Sequence, residues 1–225
     1  MAQITAHTLA RYTTDARAAL AYYMQMDADA FEHVHVTVST GNKKLGKCLN
    51  VSLLPVITCP DCNGCARACY AIRSALRFPA VLDSYARNTA IMMREPLRYW
   101  SEVRQSIRRH PSYTAFRFHV AGDILTEEYA RHMFAVAEEF PRITFWTYTK
   151  NARVLTLHGR PRNLSIMQST GFGVPFDARL HGQFHCVRAG QEAPAGVYHC
   201  PGNCQTCVNA RRGCPVNENA WIDEH

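Results

Sequence analysis

Apolar residues recur at helical spacing through much of the first half of the chain. This spacing predicts helices over residues 14–31, 66–78, 81–94 and 96–109. Pro96 stands in the first turn of the last of these helices, a position that tolerates proline. Asn88 lies inside the third helix, where a surface position or a functional role would explain a poor helix former equally well.

Two stretches near residue 40 follow a different pattern. Residues 33–39 alternate between polar and apolar, with three valines on one face, and this alternation predicts a strand. His33 and His35 lie on its other face, where exposed polar positions are a simpler explanation than a pair of metal ligands. An apolar run at residues 51–57 follows and leads into a loop that is rich in cysteine.

The middle of the chain is predicted to form a β-α-β unit. Strands are expected at residues 113–120 and 143–149 with a helix at 127–140 between them, and a third strand at 164–169. Such units give parallel strands, and functional residues lie at the carboxyl ends of those strands. Three polar residues near these ends are candidates for facing a substrate: His119, Asp123 and Lys150.

The loop at residues 58–71 carries the strongest chemical signal. Four cysteines fall within eleven residues at the spacing C-x2-C-x2-C-x3-C. A zinc ion is usually held by two separate pairs of ligands, whereas a cubane cluster offers several irons that one tight loop can wrap. The loop is therefore predicted to bind a [4Fe–4S] cluster through Cys59, Cys62, Cys65 and Cys69. The same spacing occurs in bacterial ferredoxins, where the fourth cysteine serves the other cluster, so spacing alone leaves the ligand set open.

After Pro175 regular periodicity stops and a second group of cysteines begins. Its members that could bind a second cluster are Cys200, Cys204, Cys207 and Cys214. The first three have the spacing of the three-cysteine loop of radical S-adenosylmethionine enzymes, but only 18 residues follow Cys207, whereas that loop follows the first barrel strand. Structural zinc is the alternative, because four thiolates also suit a tetrahedral ion. Cys48 and Cys186 are left over; either is an inert buried thiol or replaces one of the predicted ligands.

Composition narrows the choice among these chemistries. A chain of 225 residues can bury a sizeable core without disulfides, so its ten cysteines need another explanation. The first twenty residues lack the pattern of a signal peptide, and no apolar run reaches membrane-spanning length, so we expect a cytoplasmic protein without membrane contact, whose thiols stay reduced. The net charge of +7 is compatible with nucleic acid but supports it only weakly.

Several separated motifs, taken in order, resemble one family. They are G-N-K-K-L-G at 41–46, L-P-x-x-T-C-P at 54–60, C-Y-A at 69–71, Asn88, F-R-F-H-V-A-G-D at 116–123, F-W-T-Y-T-K at 145–150 and a terminal C-P-x-x-C-x-x-C. This order resembles the bacteriophage family called gene product eighty-eight, which is itself similar to phage proteins grouped with radical S-adenosylmethionine barrels.

The resemblance implies an α/β fold, a partial β/α barrel with a cluster at its mouth. It divides the chain into an N-terminal helical segment with the first strand at residues 1–40, the partial barrel with the cluster loop at 41–175, and a cysteine-rich segment at 176–225. The first loop of the family has three cysteines, matched here by Cys59, Cys65 and Cys69. Cys62 is an addition, and if it binds iron, no iron remains open.

Three functions follow from these observations. The first is a phage iron–sulfur protein with two [4Fe–4S] clusters, which acts in electron transfer with a redox partner or holds the fold, in the cytoplasm of an infected bacterial cell. The second is a radical enzyme in which an open iron binds S-adenosylmethionine and a small-molecule substrate faces the candidate catalytic residues. The third is a nucleic-acid-binding protein that zinc stabilises.

Overall fold

The computed structural model describes residues 3–62 and 64–224, which form helices around one parallel sheet. The α-helices in this part of the chain are α1 (Ala6–Met24), α2 (Ala28–Glu32), α3 (Tyr70–Arg77), α4 (Pro79–Arg94), α5 (Pro96–Arg109), α6 (Glu127–Glu139), α7 (Ala152–Leu155) and α8 (Cys204–Ala210). Short 3-10 helices span Cys65–Ala68 and Cys214–Val216. The strands are β1 (Leu49–Val51), β2 (Ala115–Phe118), β3 (Thr144–Thr149), β4 (Leu164–Thr170), β5 (Gln183–Val187), β6 (Tyr198–His199) and β7 (Ala220–Asp223).

The strands form a seven-stranded sheet in the order β1-β2-β3-β4-β5-β7-β6, and each neighbouring pair is parallel. Through β5 the spatial order follows the chain order, with helices in the first three crossovers. The predicted α/β class is therefore confirmed. The predicted β-α-β unit consists of β2, α6 and β3, and the bounds of α6 and β3 agree with the prediction to within a residue or two. The strand pairings described here do not close this sheet into a barrel.

The sheet separates two different cores. Phe116 and Phe118 of β2 and Phe145 of β3 are buried against the helices, and the rings of Phe118 and Phe145 stack with centroids 5.5 Å apart. Because side chains of a strand alternate between faces, residues between these phenylalanines point the other way. Trp146 and Met167 belong to a second cluster on that opposite face.

The segment at residues 33–39 is not a strand, so that prediction is wrong. Only Ser39 pairs, in an isolated antiparallel bridge to Asn50 with two backbone hydrogen bonds of 2.8 Å. Farther along, the Val36 N–H donates to Glu102 of α5 and the Thr37 N–H donates to Asn88 of α4. The alternation reflects one half-buried side of an extended segment whose backbone bonds go to side chains instead of a neighbouring strand.

Asn88 is fully buried, so a surface position does not explain it. Its Oδ1 accepts from Thr37 N at 2.8 Å, and its Nδ2 donates to the carbonyls of Thr37 and Ser52, each at 3.0 Å. One side chain therefore joins α4 to the extended N-terminal segment and to the chain leaving β1. Buried amides are tolerated when they are satisfied in this way.

Two other boundaries differ from the sequence pattern. The first helix begins at Ala6, where Thr5 caps it, and a separate short helix follows behind the cap of Asp27. The residues after Pro175 are not irregular throughout, because β5, β6 and β7 add to the same sheet. These strands are five, two and four residues long, too short for alternation to reveal them.

No helix within residues 3–62 and 64–224 has the length and apolar character that a bilayer span requires.

Replacing Asn88 with alanine tests its bridging role. Asn88→Ala leaves one backbone N–H and two carbonyls without partners in the core, and we expect a loss of about 2–4 kcal/mol in the free energy of unfolding by urea. The matched control is Gln105→Ala on the exposed side of α5, expected to change stability by less than about 0.5 kcal/mol. Equal effects of the two substitutions would contradict the role.

Candidate functional site

The first cysteine group, defined as Cys59, Cys62, Cys65 and Cys69, lies in the loop that follows β1. The loop is held close to the turn after β2. A Cβ atom at Gly122 would lie only 2.7 Å from Thr58 Oγ1 and 2.9 Å from Leu53 Cβ, and Gly122 has φ +85°. Glycine is required here by both the close approach and the backbone angle. The loop is thereby placed at the carboxyl edge of the sheet.

The four thiols of the first cysteine group lie together. Cys62 Sγ is 3.9 Å from Cys65 Sγ, and Cys62 also interacts electrostatically with Cys59 and Cys69. Cys59 and Cys69 in turn each interact with Cys65. The structure therefore brings together all four residues that the spacing nominates, Cys62 included.

Burial makes it costly for these thiols to ionise together. Loss of hydration, with the nearby Asp123 carboxylate, raises the pKa of Cys59 to about 12, and burial raises the pKa of Cys69. Cys65 is the exception, since a hydrogen bond from Cys62 and the ammonium of Lys150 lower its pKa to about 6. The loop alone favours one thiolate, and further thiolates need additional positive charge, which metal ions supply.

The second cysteine group, defined as Cys200, Cys204, Cys207 and Cys214, lies on the sheet face opposite α1 and α3 to α6, together with the short helix α8. Cys200 interacts electrostatically with Cys204 and Cys207, and Cys214 interacts with Cys200 and Cys204. Burial raises the pKa of Cys214 to about 12. The first group, by contrast, packs through Cys62 and Cys69 on the core at the helix side. The two groups therefore belong to different sides of one sheet.

The second group is held by the turn at residues 41–46. The Cys204 N–H donates to the carbonyl of Lys44 at 2.9 Å, and Lys47 N donates to Gln205 Oε1 at 3.0 Å. A Cβ atom at Gly46 would lie 2.5 Å from the Gln205 Cβ, so α8 packs directly on this glycine. The turn thus fixes the start of α8, where Cys204 stands.

The two leftover cysteines occupy different surroundings. Cys48 is buried on the opposite face and interacts with Cys204, so it lies beside the second group. Cys186 interacts with Glu224 and Lys150, and burial raises its pKa to about 11. Cys186 therefore lies at the carboxyl edge, and within residues 3–62 and 64–224 its charged neighbours are Glu224, Lys150, Arg188 and Asp223 rather than members of either cysteine group.

Arg117 is a functional candidate that sequence reasoning missed. Its guanidinium lies 4.7 Å from the Tyr148 ring centroid, and Nη2 donates to Tyr70 Oη at 3.2 Å. It interacts electrostatically with Cys204 and Cys214, while its Nε is buried with no hydrogen-bond acceptor among residues 3–62 and 64–224. A fixed positive charge therefore stands beside the second group. The sequence does carry a signal for Arg117, since it is a charged residue between two phenylalanines of a predicted strand.

Asp123 and Lys150 meet at the carboxyl edge. Asp123 Oδ2 accepts from the backbone N–H of Lys150 at 3.0 Å, and burial raises the pKa of this carboxyl group. The Lys150 ammonium donates to Ser169 Oγ at 2.6 Å. Both residues act electrostatically on Cys65, so these two predicted residues do border the first cysteine group.

His119 does not join them. It is buried with φ +56°, and its ring lies between Thr147 Oγ1 at 3.2 Å and Tyr129 Oη at 2.9 Å, on the helix side of the sheet. Burial, with the charge of Arg117, lowers its pKa to about 3. A neutral imidazole held between two hydroxyl groups in the core has a structural role.

Among residues 3–62 and 64–224, no group of three or more His, Cys, Asp or Glu side chains is spaced to hold a single metal ion.

The chain was also compared with known proteins. A family model described as Gene product 88 matches residues 23–174, more than half of the chain. No curated protein and no solved structure matches, so the similarity to radical S-adenosylmethionine barrels has no support from these comparisons.

The buried imidazole gives a pH prediction. The pKa of His119 is about 3 in the fold and 6.5 in the unfolded chain, so between these values the unfolded chain binds more protons and stability falls as the pH is lowered. The slope is roughly 1.4 kcal/mol per pH unit. His119→Asn, which tolerates a positive φ, should remove this share of the slope between pH 6.5 and 4.5 in urea unfolding. Identical slopes for the two proteins would show that His119 titrates normally.

Proposed function

The chain belongs to the Gene product 88 family, and we propose that it is a bacteriophage iron–sulfur protein with two [4Fe–4S] clusters. One cluster would be held by the first cysteine group and the other by the second. The clusters would carry electrons to or from a redox partner in the cytoplasm of the infected cell, or hold the fold. The single observation that carries the proposal is the position of Cys62, which lies inside the first thiol group.

A fourth thiol decides between two kinds of iron–sulfur chemistry. A cubane with four thiolate ligands has no open iron, and such clusters transfer electrons or stabilise a fold. A radical enzyme needs an iron that is free to bind the amino and carboxylate groups of S-adenosylmethionine. Cys62 Sγ is 3.9 Å from Cys65 Sγ, so the loop presents a fourth thiol within reach of any cofactor that binds Cys65.

The charges near both groups fit a cofactor that brings positive charge. In the first group, burial and neighbouring thiols oppose ionisation of Cys59, so iron ions would supply what the protein lacks there. Lys150 and Arg117 would each stabilise the negative charge that thiolates and sulfides bring to a cluster. When bound, a cluster supplies one-electron redox chemistry; the residues contribute thiolates, fixed charge and exclusion of water.

A radical enzyme on a partial barrel is the second candidate, because the first cysteine group follows β1 and Asp123 and Lys150 lie at the same sheet edge. Cys59, Cys65 and Cys69 would then leave an iron open. Titrating the reduced protein with S-adenosylmethionine separates the two functions. A perturbed paramagnetic resonance spectrum and release of 5′-deoxyadenosine would favour the enzyme.

A nucleic-acid-binding protein with zinc in the second cysteine group is the third candidate, although no such group within residues 3–62 and 64–224 is spaced to hold a single ion. In the second group zinc would have a structural role. The net charge of +7 is the support for nucleic-acid binding.

Substitution of Cys62 tests the proposal directly. Protein purified without oxygen should contain about eight irons and eight sulfides per chain, as expected for two cubanes. Cys62→Ser should lower the iron count by about one to four, because the first cluster loses a ligand. The same variant should change the paramagnetic resonance spectrum of one cluster and leave the other cluster unaffected.

Cys186→Ser is the matched control, since Cys186 lies outside both cysteine groups and should leave iron, sulfide and spectra unchanged. Wild-type spectra and iron content in Cys62→Ser would overturn the four-thiolate cluster. Colourless, zinc-loaded wild-type protein would overturn iron–sulfur chemistry altogether.

A further inference from the structure

A cavity of about 240 Å³ opens at the carboxyl edge of the sheet, beside the first cysteine group. Its lining residues come from four separate parts of the chain: Gln3, Gly64, Arg67, Ala68, Phe172 and Arg188. Three of them belong to the cysteine loop, while Phe172 follows β4 and Arg188 follows β5. The carboxyl ends of parallel strands are where such folds bind ligands.

Phe172 occupies a backbone position that disfavours it. Gly171 and Val174 pair in an antiparallel bridge, and the two residues between them have positive φ angles, +50° at Phe172 and +94° at Gly173. A two-residue turn with both central φ angles positive is normally built from Asn, Asp or Gly. Strained residues of this kind cluster at functional sites, which makes this turn a candidate wall of a binding site.

Two guanidinium groups accompany this ring. Arg188 lies 5.8 Å from the Phe172 ring centroid, and its closest carboxylate, Glu224, is 3.9 Å from Nε. Arg188 is 46% exposed, so its outer nitrogens remain open to a ligand. Arg67 stands in the short 3-10 helix of the cysteine loop, and within the described residues no ion pair joins it to a carboxylate.

We propose that this cavity binds a small aromatic compound that carries a phosphate or carboxylate group. The flat ring of the ligand stacks on Phe172, and the anionic group lies with Arg67 and Arg188, since arginine forks match the oxygens of such anions. This inference does not require iron in the neighbouring thiols.

Calorimetric titration of the full-length protein with simple probes tests the cavity. Inorganic phosphate, phenyl phosphate, acetate and benzoate are compared at low ionic strength, and iron is measured in the same samples. At least one aromatic anion should bind about five-fold or more tightly than its counterpart without a ring. Arg67→Gln and Arg188→Gln should each weaken that binding by about ten-fold, whereas Arg109→Gln at the exposed end of α5 should not.

Phe172→Asn provides the sharpest variant, because asparagine suits a positive φ and has no aromatic ring. It should abolish the preference for the aromatic anion while the melting temperature stays the same or rises by about 2–4 °C. Absence of binding by every probe at 10 mM, equal affinity for the members of each pair, or affinity unaffected by the arginine and phenylalanine substitutions would each overturn the proposal. A protein that lacks iron but still binds the aromatic anion would count against the proposed clusters and would leave the proposed cavity supported.

Discussion

The alternation of side chains along β2 is the constraint on which the rest of the structure depends. Phe116 and Phe118 enter the aromatic core beneath the helices, and Arg117 between them faces the opposite side of the sheet. The register with β3 pairs Arg117 with Trp146, so the two faces stay distinct across neighbouring strands. A slip of one residue would exchange the faces and bury the guanidinium among phenyl rings. The sheet can therefore keep two cysteine groups in separate surroundings.

Charge links this architecture to the proposed chemistry. Each cysteine group contains thiols whose burial opposes ionisation, and cationic side chains lie within electrostatic reach of both: Lys150 and Arg73 for the first group and Arg117 for the second. Tyr70 lies directly after Cys69 and accepts a hydrogen bond from Arg117. A short path of contacts therefore runs from one cysteine group to the other along the edge of the sheet. Clusters placed in these groups would be neighbours with different electrostatic surroundings, which is how proteins give clusters different potentials.

The sequence predicts the fold where a pattern is local. Pro96 and the helical spacing locate α5, and alternation with a helix between the strands locates β2, α6 and β3. It fails where the partner is distant: the extended residues 33–39 bond to Asn88 and Glu102 rather than to a strand, and three short strands after Pro175 are formed only by pairing within the sheet. The same limit applies to the site. Spacing finds both cysteine groups, but the nearness of Cys48 to Cys204, the burial of His119 and the strained Phe172 depend on contacts that no linear motif encodes.

Anomalous diffraction at the iron absorption edge tests two iron sites on opposite sides of one sheet most directly. Crystals grown without oxygen should show two separate iron peaks. One should lie within the thiols of the loop after β1, and the other should lie on the far face beside Arg117. A signal at the zinc edge in both places, or no metal peak at either cysteine group, would contradict the two-cluster assignment.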